Sequence, residues 1–166
     1  MNLLANLKEI KNYFLKKENF FYLTIILIIF SLDRISKREI ISNFNESVYF
    51  VNDYINFDLI WNIGIGFGFL STDSSILYNS ITLLIGIVIL FLFYVLISSE
   101  KIDKIIYSII IGGALGNYYD RLVYKAVPDF IDLHYNNFHW FTFNVADIFI
   151  SIGIIVLLIY GLLKKN

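Results

Sequence analysis

The chain has 166 residues, of which 58% are apolar and only 16% charged, with a mean hydropathy of +0.69 and a single proline. Ordinary soluble domains run nearer a quarter charged, so this composition excludes a soluble globular protein and predicts one membrane-embedded domain, residues 1–166, with no room for a second. Cysteine is absent, which excludes disulfides, thiol nucleophiles and thiolate metal sites, and a net charge of -1 gives no reason to expect a nucleic-acid partner.

The first apolar stretch covers residues 20–32, preceded by Lys8, Lys11, Lys16 and Lys17. A secretory signal peptide has such flanks, but no small-x-small cleavage site follows; Ser31-Leu32-Asp33-Arg34 comes next. The expectation is a retained span over about 19–37. Asp33 and Lys37 close it at i, i+4 with the acid first, the better order for a helical ion pair; alone they read as the solvated end of a helix, with a positioning role.

Residues 43–70 are too polar to span. Ile55, Phe57, Leu59 and Trp61 alternate with Asn56, Asp58 and Asn62, and Val48 to Val51 form a second β-favouring run, so a small external sheet is expected. Its aromatic side, with Trp61, Phe67 and Phe69, suits the membrane interface. The run from Asn62 through Gly64, Gly66 and Gly68 has the wrong spacing for a dinucleotide fingerprint or a P-loop. It reads equally as a strand or turn where backbones approach closely and as one wall of a cleft for an extended substrate.

A second span is expected over about 76–97, without a charge, and a third over about 104–121. In the third, Gly112 and Gly116 give a small-xxx-small face for close helix packing. Asn117, Asp120 and Arg121 follow at i, i+3 and i+4 on one face; the favoured reading of the charged pair is that it ties helix ends together.

Residues 122–145 are expected as an outer loop or short helix. Pro128 cannot continue a helix and biases Val127 to extended geometry, so Asp129 stands on a non-helical segment. Asp132, His134 and His139 share this region, but no ligand spacing such as HExxH appears, so no metal site is expected. Asn144 suits the N-cap of a fourth span over about 146–163, with Asp147 in its first turn; there Asp147 is either a functional acid or one that merely matches the helix dipole.

Cytoplasmic loops carry an excess of lysine and arginine. Lys8, Lys11, Lys16, Lys17, Lys101, Lys104, Lys164 and Lys165, eight in all, fall on one side, whereas Arg34, Lys37, Arg38, Arg121 and Lys125 fall on the other. Both termini are therefore expected in the cytoplasm, with Asp129 and Asp147 at the outer face. The expected fold is an all-α polytopic membrane protein: four transmembrane helices, a small extracytoplasmic β-sheet, and an extracytoplasmic loop or short helix.

Ionisable groups at membrane depth mark functional sites. Two carboxyls brought together in a low-dielectric site cannot both ionise easily, so one holds a proton while the other can deprotonate water, which is aspartic-protease chemistry. A small transporter or proton relay is the competing class; it would spread acids through the depth of several spans, yet Asp33, Asp120, Asp129 and Asp147 gather at the outer ends. A scaffold without chemistry leaves that clustering unexplained.

Gly116-Asn117-Tyr118-Tyr119-Asp120-Arg121, Val127-Pro128-Asp129-Phe130 and Phe143-Asn144-Val145-Ala146-Asp147, preceded by Asp33 to Lys37 and Asn62-Ile63-Gly64, resemble in order the motifs of bacterial lipoprotein signal peptidase (signal peptidase II), over nearly the whole chain. The resemblance implies a four-helix aspartyl endopeptidase of the bacterial inner membrane that removes the signal peptide from a prolipoprotein just before its diacylglyceryl-modified cysteine. It implies that Asp129 and Asp147 are the catalytic dyad, that Asn117, Asp120, Arg121, Asn144 and Ala146 support the site, and that Asp33, Lys37, Asn62 and Gly64 line or brace it. No metal or cofactor is implied; the partners are the lipidated substrate and membrane lipid, and a monomer is expected. Gly66 departs from the usual alanine and Pro128 from a small or β-branched apolar residue; neither removes a functional group.

Overall fold

The computed structural model describes residues 17–44, 48–64, 75–136 and 138–164. The expectations on Lys8, Lys11, Lys16, Phe67, Phe69, Gly66, Gly68 and Lys165 lie outside them. Helix α1 spans Lys17–Asn43, 27 residues. At 1.5 Å per residue it is about 40 Å long, beyond the ~30 Å of a hydrocarbon core. It outruns the expected end near 37 because nothing in Arg38 to Asn43 breaks a helix, and Ser42 donates back to the Arg38 carbonyl.

Strands β1 (Tyr49–Asn52) and β2 (Ile55–Asn62) pair as an antiparallel hairpin where the alternating pattern gives the expectation of a small sheet. Asn52 makes the turn, its Oδ1 accepting the backbone N–H groups of Tyr54 and Ile55 at 2.9 and 3.0 Å. Helix α2 (Ser75–Ser98) presents a lipid-type exterior, with Ile76, Leu83, Leu90 and Phe91 all more than half exposed. Helix α3 (Lys101–Val123) packs against α1 and α2 and against α4 (Val145–Lys164). Its buried residues mix Ile106, Ile110 and Ile111 with Ser108, Asp120 and Arg121.

Among the described residues, three helices are long and apolar enough to cross a membrane: Asn19–Asn43, Ser75–Ser98 and Val145–Lys164. Helix α3, at 23 residues, is long enough but carries charge at both ends; it packs against α1, α2 and α4, so it needs less apolar exterior.

The expected loop or short helix over 122–145 is instead a second hairpin, β3 (Val127–Tyr135) and β4 (Phe138–Phe143). Its aromatic and β-branched residues favour strands, and Asn136, at φ 52°, tolerates the left-handed turn between them. The two hairpins join as one antiparallel sheet in the order β1-β2-β3-β4. Trp61 pairs with Pro128 and Ile60 with Asp129, whereas β4 begins its pairing only at Ile131. Pro128 thus sits where β3 has a neighbour on one side only, which tolerates its missing N–H.

Candidate functional site: two carboxyls on one cleft

Asp129 is delivered by β3 and is 3% exposed. Each of its oxygens accepts an amide N–H: Oδ2 from Asn62 Nδ2 at 2.8 Å and Oδ1 from Asn144 Nδ2 at 2.6 Å. The pairing of β2 with β3 brings Asn62 there across 67 residues of sequence. Asn62 is itself fixed, its Oδ1 accepting Gly64 N–H at 2.8 Å. Burial raises the Asp129 pKa to about 7, with the Asp147 charge adding to the effect and Asn62, Asn144 and Lys37 opposing it.

Asp147 stands in the first turn of α4. Asn144 caps that helix as the sequence suggests: its Oδ1 accepts Asp147 N–H at 3.2 Å, while Asp147 Oδ2 accepts Asn144 N–H at 3.1 Å, a reciprocal capping box. The other Asp147 oxygen accepts Asn117 Nδ2 at 2.8 Å. One residue, Asn144, therefore contacts both acids.

Behind the acids lies a buried ionic cluster. Lys37 Nζ donates to Asn117 Oδ1 and Asp120 Oδ2, both at 2.7 Å, and lies 3.0 Å from Asp33 Oδ2. Asp33 Oδ1 accepts Ala146 N–H at 3.0 Å, tying α1 to the start of α4. Asp33, Lys37 and Asp120 are all 0% exposed, so the reading of Asp33 and Lys37 as a solvated helix end is overturned. Packing of α1 on α3 removes that end from water. Arg121 donates to Gly64 O at 2.6 Å, holding the end of β2 against α3.

The nine supporting residues named from sequence thus meet in one network around Asp129 and Asp147. Arg34 was missed. It clamps Asp120 through Nη1 and Nη2 at 2.5 and 2.7 Å, reaches Asp33 at 2.8 Å, and lies 4.9 Å above the Tyr119 ring. Charge balance could have found it: buried Asp33 and Asp120 face only one lysine, and burying two acids requires a second cation.

Asn62, Asn117, Asp129 and Asp147 border a cleft of about 340 Å³, whose apolar wall includes Ile85, Ile150 and Ile154. A second groove of about 310 Å³ runs between β4 and α4 along Phe141, Phe143, Ile148 and Ile152, and shares Asp147 and Ser151 with the first. Arg121 also lines the cleft, and its Nη1 is buried without a partner among the described residues. Two carboxyls, one with its proton affinity near neutrality, at the meeting of two largely apolar grooves can hold and activate a water against a bound carbonyl.

Residues 25–163 match the family model described as signal peptidase (SPase) II. The chain is 45% identical over 161 residues to the lipoprotein signal peptidase of Pelagibacter ubique (strain HTCC1062), covering 95% of this chain and 93% of that protein. It is 40% identical over 149 residues to that of Polynucleobacter necessarius subsp. necessarius (strain STIR1), covering 87% and 90%. Among solved structures, a bacterial membrane enzyme determined by the in meso method at 2.3 Å resolution superposes with a TM-score of 0.73 at 26% identity, covering 87% of this chain and 89% of that one. With the motifs assembled around one cleft and the match spanning most of its length, the chain belongs to the signal peptidase II family.

Proposed function

We propose that this protein is the aspartic endopeptidase that removes the signal peptide from diacylglyceryl-modified prolipoproteins, cutting just before the lipidated cysteine, and that Asp129 and Asp147 are its catalytic dyad. The observation that carries the reading is the pair itself: two carboxyls on one cleft, each clamped by asparagine amides that fix its direction. One ionised carboxylate takes a proton from water as its oxygen attacks the scissile carbonyl carbon. The other, protonated, gives its proton to the carbonyl oxygen. Collapse of the tetrahedral intermediate breaks the C–N bond: the leaving nitrogen takes a proton from the dyad while a hydroxyl of the gem-diol gives its proton back to it, which restores the shared proton. Because the pair holds that proton jointly, neither residue is named acid or base.

The other named residues position this pair. Asn62, Asn117 and Asn144 orient the carboxyls; Asp33, Lys37, Asp120 and the Ala146 amide lock α1, α3 and α4 together; Arg121 and Gly64 hold the cleft edge, where the free Nη1 of Arg121 suits a substrate carbonyl. The groove between β4 and α4 suits an acyl chain, continuous with lipid. The chain acts as a single membrane-embedded domain, as a monomer in the bacterial inner membrane. Four helices span, both termini lie in the cytoplasm, and the sheet and cleft face outward with Trp61 and Trp140 at the interface, where amphipathic rings concentrate.

The test is purified protein in detergent given a diacylglyceryl-modified prolipoprotein. Asp129→Asn and Asp147→Asn should each lower the cleavage rate by about 10²- to 10⁴-fold, the range of a lost acid-base group. Cleavage surviving both substitutions would sink the dyad.

A further inference from the structure

On the face of the sheet away from Asp129, three ligand-type side chains converge. Asp132 and His134 stand two apart on β3 and share a face, whereas Asp129, three before Asp132, falls on the other. The β3–β4 register sets His139 opposite His134, and the two imidazoles stack with centroids 5.4 Å apart and 23° between planes. Nδ1 of His139 lies 2.7 Å from Asp132 Oδ2, and Nδ1 of His134 lies 3.6 Å from that oxygen. All three potential ligand atoms fall within 4.8 Å of one another.

Two orphaned atoms mark the place as a ligand site. The His134 side chain is 8% exposed and aims Nδ1 at Asp132, yet that nitrogen has no hydrogen-bond partner among the described residues. Asn56, cross-strand neighbour of the 4% exposed Asp132, has a buried Oδ1 that likewise finds no partner among the described residues. A buried polar atom left unpaired costs about 1–3 kcal/mol, so two around one carboxylate call for a further partner. Imidazole nitrogen and carboxylate oxygen without thiolate match a zinc-type cation. Tetrahedral ligands at ~2.0–2.2 Å from zinc stand about 3.4 Å apart. The His134–Asp132 pair already fits, and His139, 58% exposed, has room to pivot outward from Asp132.

We propose that Asp132, His134 and His139 form a binding site for one zinc-like divalent cation, with water in the fourth position, pinning β4 to β3 near the hairpin turn. The spacing in sequence conceals this site because the ligands meet across a hairpin rather than along a helix. The proposal does not depend on the peptidase reading.

The test uses the full chain without a histidine tag, stripped with chelator in detergent and given zinc chloride, then cobalt(II) in a second titration. Expected are one bound zinc per chain by elemental analysis, the intense visible bands of tetrahedral cobalt, and a melting temperature raised by zinc. His134→Ala and His139→Ala should each weaken zinc by at least the ~10–100-fold typical of losing even a supporting residue, and Asp129→Asn should leave it unchanged. His139 is exposed, so its variant keeps the test valid if His134→Ala fails to fold. Absence of stoichiometric zinc, zinc retained in His139→Ala, or zinc lost in Asp129→Asn would each overturn the site. So would a wild-type melting temperature that does not respond to zinc.

Discussion

Asn144 uses the two ends of one amide for different tasks: its oxygen caps α4 and its nitrogen donates to Asp129. The tasks can be separated. Asn144→Ser keeps a capping oxygen but cannot reach Asp129, so it should lose activity together with the about 1–3 kcal/mol of a buried oxygen left unpaired, and Asn144→Ala should lose activity and about 1 kcal/mol of stability beyond that for the missing cap. Thermal unfolding beside cleavage kinetics reads both. Asp129 carries the pH dependence. Its pKa rises from 3.8 to about 7 on folding, so the folded state binds the proton more tightly. The stability it supplies is fully present below about pH 4 and declines as pH climbs through about 7. Asp129→Asn should flatten that slope in denaturation midpoints measured across the window, and wild-type kcat/KM should fall as pH rises past about 7, where the shared proton is lost. Both acids and the capping role of Asn144 were legible in sequence, because a proline and a helix start constrain their local geometry. The donation from Asn144 to Asp129 was not, since it depends on β3 arriving beside α4.

At the scale of elements, Gly112 and Gly116 of α3 face Ile29 and Asp33 of α1, a pair with the same spacing of four. A Cβ on Gly112 would lie 2.9 Å from that of Ile29, and one on Gly116 would collide with the Asp33 carboxylate, which Lys37 and Arg34 hold in place. Gly116→Ala should therefore cost about 1–3 kcal/mol through overpacking and lower activity through the displaced cluster. Gly161→Ala, with nothing within 4 Å, is the control and should be neutral or slightly stabilising. The small-xxx-small face was readable because helical spacing is local. The β3–β4 hairpin was not: the first four residues of β3 are all buried, so the two-residue alternation that reveals β2 is missing.

For the whole molecule, the absence of cysteine makes orientation directly measurable. Lys101→Cys and Lys125→Cys place single thiols at exposed positions at opposite ends of α3. A membrane-impermeant maleimide should label Lys125→Cys in intact spheroplasts and Lys101→Cys only after lysis; the reverse pattern would invert the proposed topology. Among the described residues, α1, α2 and α4 are long and apolar enough to cross a membrane, whereas α3, packed against all three, trades apolar exterior for polar contacts that only the assembled bundle supplies. The Asp33–Lys37 pair bears on how that bundle is built. Chains fold from the N-terminus during synthesis, so α1 enters the bilayer before Asp120 exists. In the proposed orientation its distal end must be carried across the hydrocarbon, and the i, i+4 pair lets an acid and a base travel as a neutral unit. When α3 follows, Asp120 takes hold of the same lysine and of Arg34, turning an insertion passenger into the latch that closes the bundle.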